Sequence, residues 1–152
     1  MLRPVDRQDT RFLRDMLRHA YHWRIAEDPD RPLYRYVQNW GRPGDAGVIA
    51  FAGPNPYGAA WYRLFPASAP GFGFVDEQTP ELAVAVVPNA RGKGVGSALL
   101  ASLLERARSD GYEGLSLSVD RHNEGAIALY GQYGFRRVEE TLDSLTLRVG
   151  LG

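Results

Sequence analysis

The six residues Leu82-Ala83-Val84-Ala85-Val86-Val87 are all apolar. They are followed by Arg91-Gly92-Lys93-Gly94-Val95-Gly96 and then by leucines at 99, 100, 103 and 104. A short apolar run without alternation predicts a central strand covered on both faces. Leucines at three- and four-residue spacing predict a helix to about Asp110, stopped at Gly111. A strand that turns through glycines into a helix needs other elements to cover the sheet on each side, so the fold class is α/β with a mixed sheet.

The remaining patterns supply those elements. Leu2 to Pro4 is a short extended start. Within Asp9 to Arg24, Phe12, Met16, Leu17, Ala20 and Tyr21 recur at helical spacing, with Asp9 or Thr10 placed as N-cap. The stretch Glu27 to Pro32 breaks this helix, a second is predicted from Leu33 to Trp40, and Gly41 to Asp45 is a turn. Val48 to Phe51 and Ala59 to Phe65 form a predicted hairpin across Gly53-Pro54-Asn55-Pro56. Pro66 to Pro80 is mainly a long loop of Pro, Gly and Ala. Leu115, Leu117 and Val119 alternate with serines as a strand, and Asn123 to Tyr133 is a short helix ended by Gly134. Phe135 to Glu140 and Leu145 to Val149 are strands joined at Asp143-Ser144. No repeat or linker interrupts the pattern, so the 152 residues read as one domain.

Composition removes several classes of function. Eighteen basic and eighteen acidic residues cancel, which argues against nucleic acid or an anionic membrane as partner. With no cysteine there is no disulfide, thiolate metal site or thiol nucleophile. No apolar run approaches the roughly 20 residues that span a bilayer, and the start is no signal peptide, so a cytoplasmic location is expected. His19, His22 and His122 lack the spacing of a metal set, and no metal is expected. Arg7, Arg11, Arg14 and Arg18 form a stripe that reads as a solvated helix face rather than an interaction surface.

Residues 91 to 97 occupy the start of a helix, where unpaired N–H groups and the positive dipole end attract anions. Glycines at 92, 94 and 96 let a phosphate approach the backbone, and Arg91 and Lys93 add charge. The segment lacks the Gly-Lys-Ser/Thr of a Walker A loop, and its third glycine is misplaced for a dinucleotide fingerprint.

Arg91-Gly92-Lys93-Gly94-Val95-Gly96 after the apolar strand resembles the acyl-coenzyme A motif of the GNAT N-acetyltransferase superfamily, Gln/Arg-x-x-Gly-x-Gly/Ala. Asn123-Glu124-Gly125-Ala126-Ile127-Ala128-Leu129-Tyr130, followed by Tyr133-Gly134-Phe135, is similar to its second signature. The firm resemblance covers about Glu81 to Val138. It implies acetyl-CoA as acyl donor and an amine acceptor attacking the thioester directly, without a covalent enzyme intermediate. The pantetheine arm would pair with the backbone of Val86 and Val87, beside a bulge that splays this strand from the next, and an N–H near Val87 would steady the oxyanion. The amides of Arg91, Gly92, Lys93, Gly94, Val95, Gly96 and Ser97 would hold the pyrophosphate. Asn123 would bond the coenzyme arm, and Tyr130 would protonate the departing thiolate.

For the proton leaving the amine, Glu81 is the expected base by analogy, with Asp76, Glu77 and water as alternatives. These carboxylates, joined by Glu27, Asp28 and Asp30, would favour a cationic acceptor. Trp23, Trp40, Trp61, Tyr57 and Tyr62 are mostly core, with one or two expected on the acceptor wall. The acceptor itself stays open, as does a homodimer. The rival to an enzyme is a regulatory domain that binds acyl-CoA without turnover.

Overall fold

The structure is a computed structural model that describes residues 1–21 and 32–152. Among these residues seven strands form one sheet: β1 (Leu2–Pro4), β2 (Ala46–Ala52), β3 (Asn55–Arg63), β4 (Glu81–Val86), β5 (Gly114–Asp120), β6 (Arg136–Glu140) and β7 (Ser144–Gly150). Their spatial order is β1-β2-β3-β4-β5-β7-β6, and every neighbouring pair is antiparallel except β4 with β5. Among the described residues three α-helices cover it: α1 (Thr10–Ala20), α2 (Val95–Ser109) and α3 (Glu124–Gln132). The α/β class with a mixed central sheet is therefore the observed fold.

The period-two geometry of β4 explains its apolar run. Leu82 packs with Leu99, Leu100, Leu103 and Leu104 of α2, and Val84 and Val86 pack against the same cluster. Ala83 and Ala85 face Leu13, Met16 and Leu17 of α1 in a second cluster. Each buried leucine contributes about 1.5–3 kcal/mol, so these clusters fix α1 and α2 on opposite faces of the sheet. On β5, Leu115, Leu117 and Val119 join the α2 side, while the buried Ser116 hydroxyl, facing the other way, donates to Gly73 O at 2.7 Å.

Several boundaries differ from expectation. The Leu33–Trp40 segment contains only a 3-10 turn, Leu33–Tyr36, because its backbone is held from outside by β3. Trp61 Nε1 donates to Tyr36 O at 3.0 Å. Arg63, 1% exposed, donates to Arg35 O, to Gln38 O and to both oxygens of Asp45. Asp9 occupies the N-cap of α1 without capping it, since its carboxylate binds Arg3 and accepts from Asp6 N. Arg7, Arg11, Arg14 and Arg18 are exposed, and Arg14 stacks on Tyr34. His22, Trp23, Glu27, Asp28, Asp30 and the end predicted for the first helix lie outside the described residues. Among the described residues no helix is long and apolar enough to cross a membrane.

Candidate functional site

The parallel strands β4 and β5 share a single ladder position, Glu81 opposite Ser116, with Ser116 N–H donating to Pro80 O at 3.0 Å. Beyond it both strands continue but no longer pair. The gap holds a cavity of about 820 Å³, walled by Leu82 to Val86 on one side and Leu117 to Asp120 on the other. The β3–β4 register runs without a shift from Gly58 opposite Val86 to Arg63 opposite Glu81, so the expected bulge is absent. The splay comes from the divergence of β4 and β5.

Backbone groups alternate in direction along a strand. Val87 N–H donates to Tyr57 O at 2.9 Å, toward β3. Val87 is also outside the cavity lining, which corrects its assignment to the coenzyme arm and oxyanion. Val84 and Val86 have the opposite phase and turn their main-chain groups to the gap, where Arg91 Nε donates to Val86 O at 3.0 Å. Val84 is thus the residue missing from the sequence reading, which did not have the register.

At the wide end of the gap lies the start of α2. Gly92 and Gly94 have φ of +79° and +80°, a left-handed backbone that favours glycine. Gly94 is the N-cap, and the first helical bond is Ala98 N–H to Gly94 O at 3.1 Å. The amides of Val95, Gly96 and Ser97 precede that ladder and belong to the helix's unpaired first turn. A Cβ on Gly96 would approach nothing closer than Leu129 Cδ2 and Val86 Cγ2, both at 4.0 Å, so packing does not demand this glycine. Its openness suits close approach by a ligand. Ser97 ties α2 to α3 through a 2.7 Å hydrogen bond between Ser97 Oγ and Tyr133 Oη. Lys93 does not line the cavity.

Asn123 and Tyr130 both line the cavity from α3. Asn123 caps the helix, Oδ1 accepting from Ala126 N at 3.1 Å, so its NH₂ is the part left to face a ligand. Tyr130 is 9% exposed, with its ring edge-on to Phe135 at 5.6 Å. Burial pushes its phenol up to about 12, further above neutral pH than an ordinary tyrosine.

Glu81 is 1% exposed and does not line the cavity. Its Oε2 accepts from Tyr36 Oη and, at 3.0 Å, from Gly73 N, while Tyr36 Oη accepts from Phe72 N at 2.8 Å. Burial and the Glu81 charge push the Tyr36 phenol well up from its ordinary value. Asp76 and Glu77 are not gathered with Glu81 in the cleft as expected. Asp76 accepts from Gln78 N and Glu77 from Ala67 N, both local loop bonds. Trp40, Trp61 and Tyr62 are buried in the core, and neither they nor Tyr57 line the cavity. Among the described residues its aromatic wall is Tyr21 and Tyr130. The helical spacing that put Tyr21 on the apolar face could not show that its ring also reaches the cleft. No group of three His, Asp or Glu side chains among the described residues stands placed for a metal.

The model of the acetyltransferase (GNAT) family matches residues 10–135. A mycothiol acetyltransferase of Paenarthrobacter aurescens (strain TC1) is 30% identical over 103 residues, 68% of this chain and 31% of that protein. The chain therefore spans under a third of the length of that curated relative. An L-2,4-diaminobutyric acid acetyltransferase of Nocardia farcinica (strain IFM 10152) is 32% identical over 136 residues, 76% of this chain and 70% of that protein. Among solved structures, yncA from Salmonella typhimurium, determined with its cofactor acetyl-CoA, superposes with a TM-score of 0.75 at 22% identity, covering 100% of this chain and 94% of that one. Acetyltransferases of this family use acetyl-CoA.

Proposed function

Because the chain belongs to the acetyltransferase (GNAT) family, we propose that it transfers the acetyl group of acetyl-CoA to a primary amine, the amine attacking the thioester directly. The observation that carries this reading is the cleft itself. It is a gap between parallel strands with a free strand edge on one wall, a helix N-terminus at its mouth and a protonated phenol within it.

In this reading the pantetheine amides take the gap-facing main-chain groups of Val84 and Val86, as a further strand would. Arg91 then exchanges Val86 O for phosphate. The pyrophosphate sits on the amides of Val95, Gly96 and Ser97, with Gly92 and Gly94 shaping the turn, Lys93 adding positive charge at the rim, and the Asn123 amide facing the coenzyme arm. Tyr130 protonates the thiolate as the tetrahedral intermediate collapses. Glu81 takes the proton released by the amine, and its burial means that proton must reach it through other groups. Asp120, which lines the cavity, favours entry of a protonated amine. The Nocardia relative's diamino acid is in keeping with an amine acceptor.

Release of CoA from acetyl-CoA, followed with a thiol reagent across a panel of amines, tests the proposal, and a chain without cysteine adds no background. Amine-dependent CoA release with a matching acetylated product is the expected result. Tight acetyl-CoA binding with no release for any amine would replace this reading with that of an acyl-CoA-binding regulatory domain.

A further inference from the structure

We infer that Tyr21 and Tyr36 form a proton relay from the acceptor end of the cleft to the buried Glu81, with Tyr21 touching the acceptor amine and Tyr36 positioned between Tyr21 and the carboxylate. The inference rests on the N-acetyltransferase reading and deepens it by giving the base a route.

Tyr21, at the C-cap of α1, lines the cavity, whereas Tyr36 and Glu81 lie behind it. The Tyr21 and Tyr36 ring centroids are 5.0 Å apart, and both rings also contact Phe72, so the two phenols belong to one buried cluster. A phenol has one proton to give and lone pairs with which to accept. The Tyr36 proton goes to Glu81 Oε2, so toward Phe72 N–H and Tyr21 the Tyr36 oxygen acts as acceptor. In the relay, then, Tyr21 is the donor toward Tyr36. The donors run in one direction, from the cleft wall to the carboxylate, and a tyrosine oxygen that donates onward can still accept an N–H from the cleft.

Ser118 marks where that N–H would lie. Its hydroxyl is nine-tenths buried, has no hydrogen-bond partner among the described residues, and lines the same cavity. It stands one pleat beyond Ser116, the residue opposite Glu81, so the open end of the gap begins beside it.

The step balances without any further reactant. The ammonium form of the acceptor gives up one N–H proton to the Tyr21 oxygen, which leaves the neutral amine that attacks the thioester. The Tyr21 proton passes to Tyr36 and the Tyr36 proton to Glu81. Each phenol loses one O–H bond and gains one, and Glu81 ends as the neutral acid. Burial and the neighbouring Glu81 charge disfavour a phenolate on Tyr36, and the balanced step leaves both phenols neutral. Other groups facing Glu81 among the described residues do not compete for this role. Gly73 N–H donates to it, and Ser116 donates to Gly73 O. Arg63, opposite Glu81 in the β3 register, is held by Asp45 and two carbonyls. His19 and Asp120 line the cavity itself, and the variants below leave both in place.

The test measures kcat, KM and pH profiles for wild type, Tyr21→Phe, Tyr36→Phe and the double variant, after acetyl-CoA binding and thermal unfolding have confirmed each fold. Tyr36→Phe keeps the ring between Tyr21, Phe65 and Phe72 and removes the middle of the chain. The expected result is a fall in kcat of about a hundredfold at neutral pH with KM for the amine nearly unchanged, shrinking as pH rises and the amine arrives unprotonated. Tyr21→Phe leaves the Tyr36–Glu81 pair intact and should show the same profile, so the test survives if Tyr36→Phe is poorly folded. The double variant should be no worse than a single one, since a relay cut once is already cut. Wild-type kcat and pH profile in a folded single variant, or losses that multiply in the double, would overturn the relay alone. A wild-type chain that acetylates no amine would overturn the enzyme reading and the relay with it.

Discussion

Substitution of Gly96 separates the two reasons a glycine can stand in a turn that binds phosphate. Gly96 lies within α2 and its φ is not positive, and a Cβ there meets only Leu129 and Val86 at 4.0 Å. Gly96→Ala therefore fits without strain and restricts the unfolded chain, a gain of about 0.4–1 kcal/mol. That corresponds to a rise of roughly 1–4 °C in Tm for a chain of this size. Gly96→Leu has good helix propensity as well, but its further carbons must extend between Val86 and Leu129 into the cavity. They would keep a phosphate from the first-turn amides. Loss of two charge-assisted hydrogen bonds at about 1.5 kcal/mol each is about 3 kcal/mol, or roughly a hundredfold in Kd. Gly94→Ala is the contrasting case. At φ +80° a side chain is strained by about 1–2 kcal/mol, so Tm should fall although nothing lies within 4 Å of the added carbon. Thermal unfolding followed by circular dichroism and acetyl-CoA titration by calorimetry read both quantities. A folded Gly96→Leu chain with wild-type affinity would refute the placement of the phosphates, and a destabilised Gly96→Ala chain would refute the account of the turn.

Tyr130→Phe should retain acetyl-CoA affinity while turnover falls by roughly a hundredfold, measured as CoA release under saturating donor. The same phenol is raised by burial to about 12, so its contribution is complete below the unfolded value near 10 and is lost as pH rises through 12. Equilibrium unfolding between those pH values should show Tyr130→Phe losing about 2–3 kcal/mol less stability than wild type. Asp45→Ala strands the guanidinium of Arg63, both side chains being almost fully buried, and should cost about 3–5 kcal/mol in urea unfolding. Because Arg63 also holds Arg35 O and Gln38 O, that variant should lose activity beyond its loss of folded protein.

Much of the architecture was legible because it depends on periods and breakers. The alternation of Leu115, Leu117 and Val119 with serines and the leucine spacing of α2 each match the structure within a residue or two. The Leu33–Trp40 segment was misread as a helix because Arg63 and Trp61, from β3, bind its carbonyls and hold a short turn instead. Glu81 is the base expected by analogy, yet the loop at Phe72 and Gly73 folds over it and keeps it from the cavity lining. No local pattern encodes that closure, since it brings together residues 36, 73 and 81.

By itself the sequence determined the order of strands and helices, the glycine turn at the start of α2 and the two faces of β4. Each follows from backbone sterics or from periodic burial acting over a few residues. Tertiary structure alone decided that β4 and β5 part after one shared position, that Val84 rather than Val87 turns its backbone to the gap, and that Tyr21 and Tyr36 stand between the cleft and Glu81. Those outcomes depend on strand register and on contacts between segments far apart in the chain, where the choice lies among competing long-range pairings and not in the preference of any one residue.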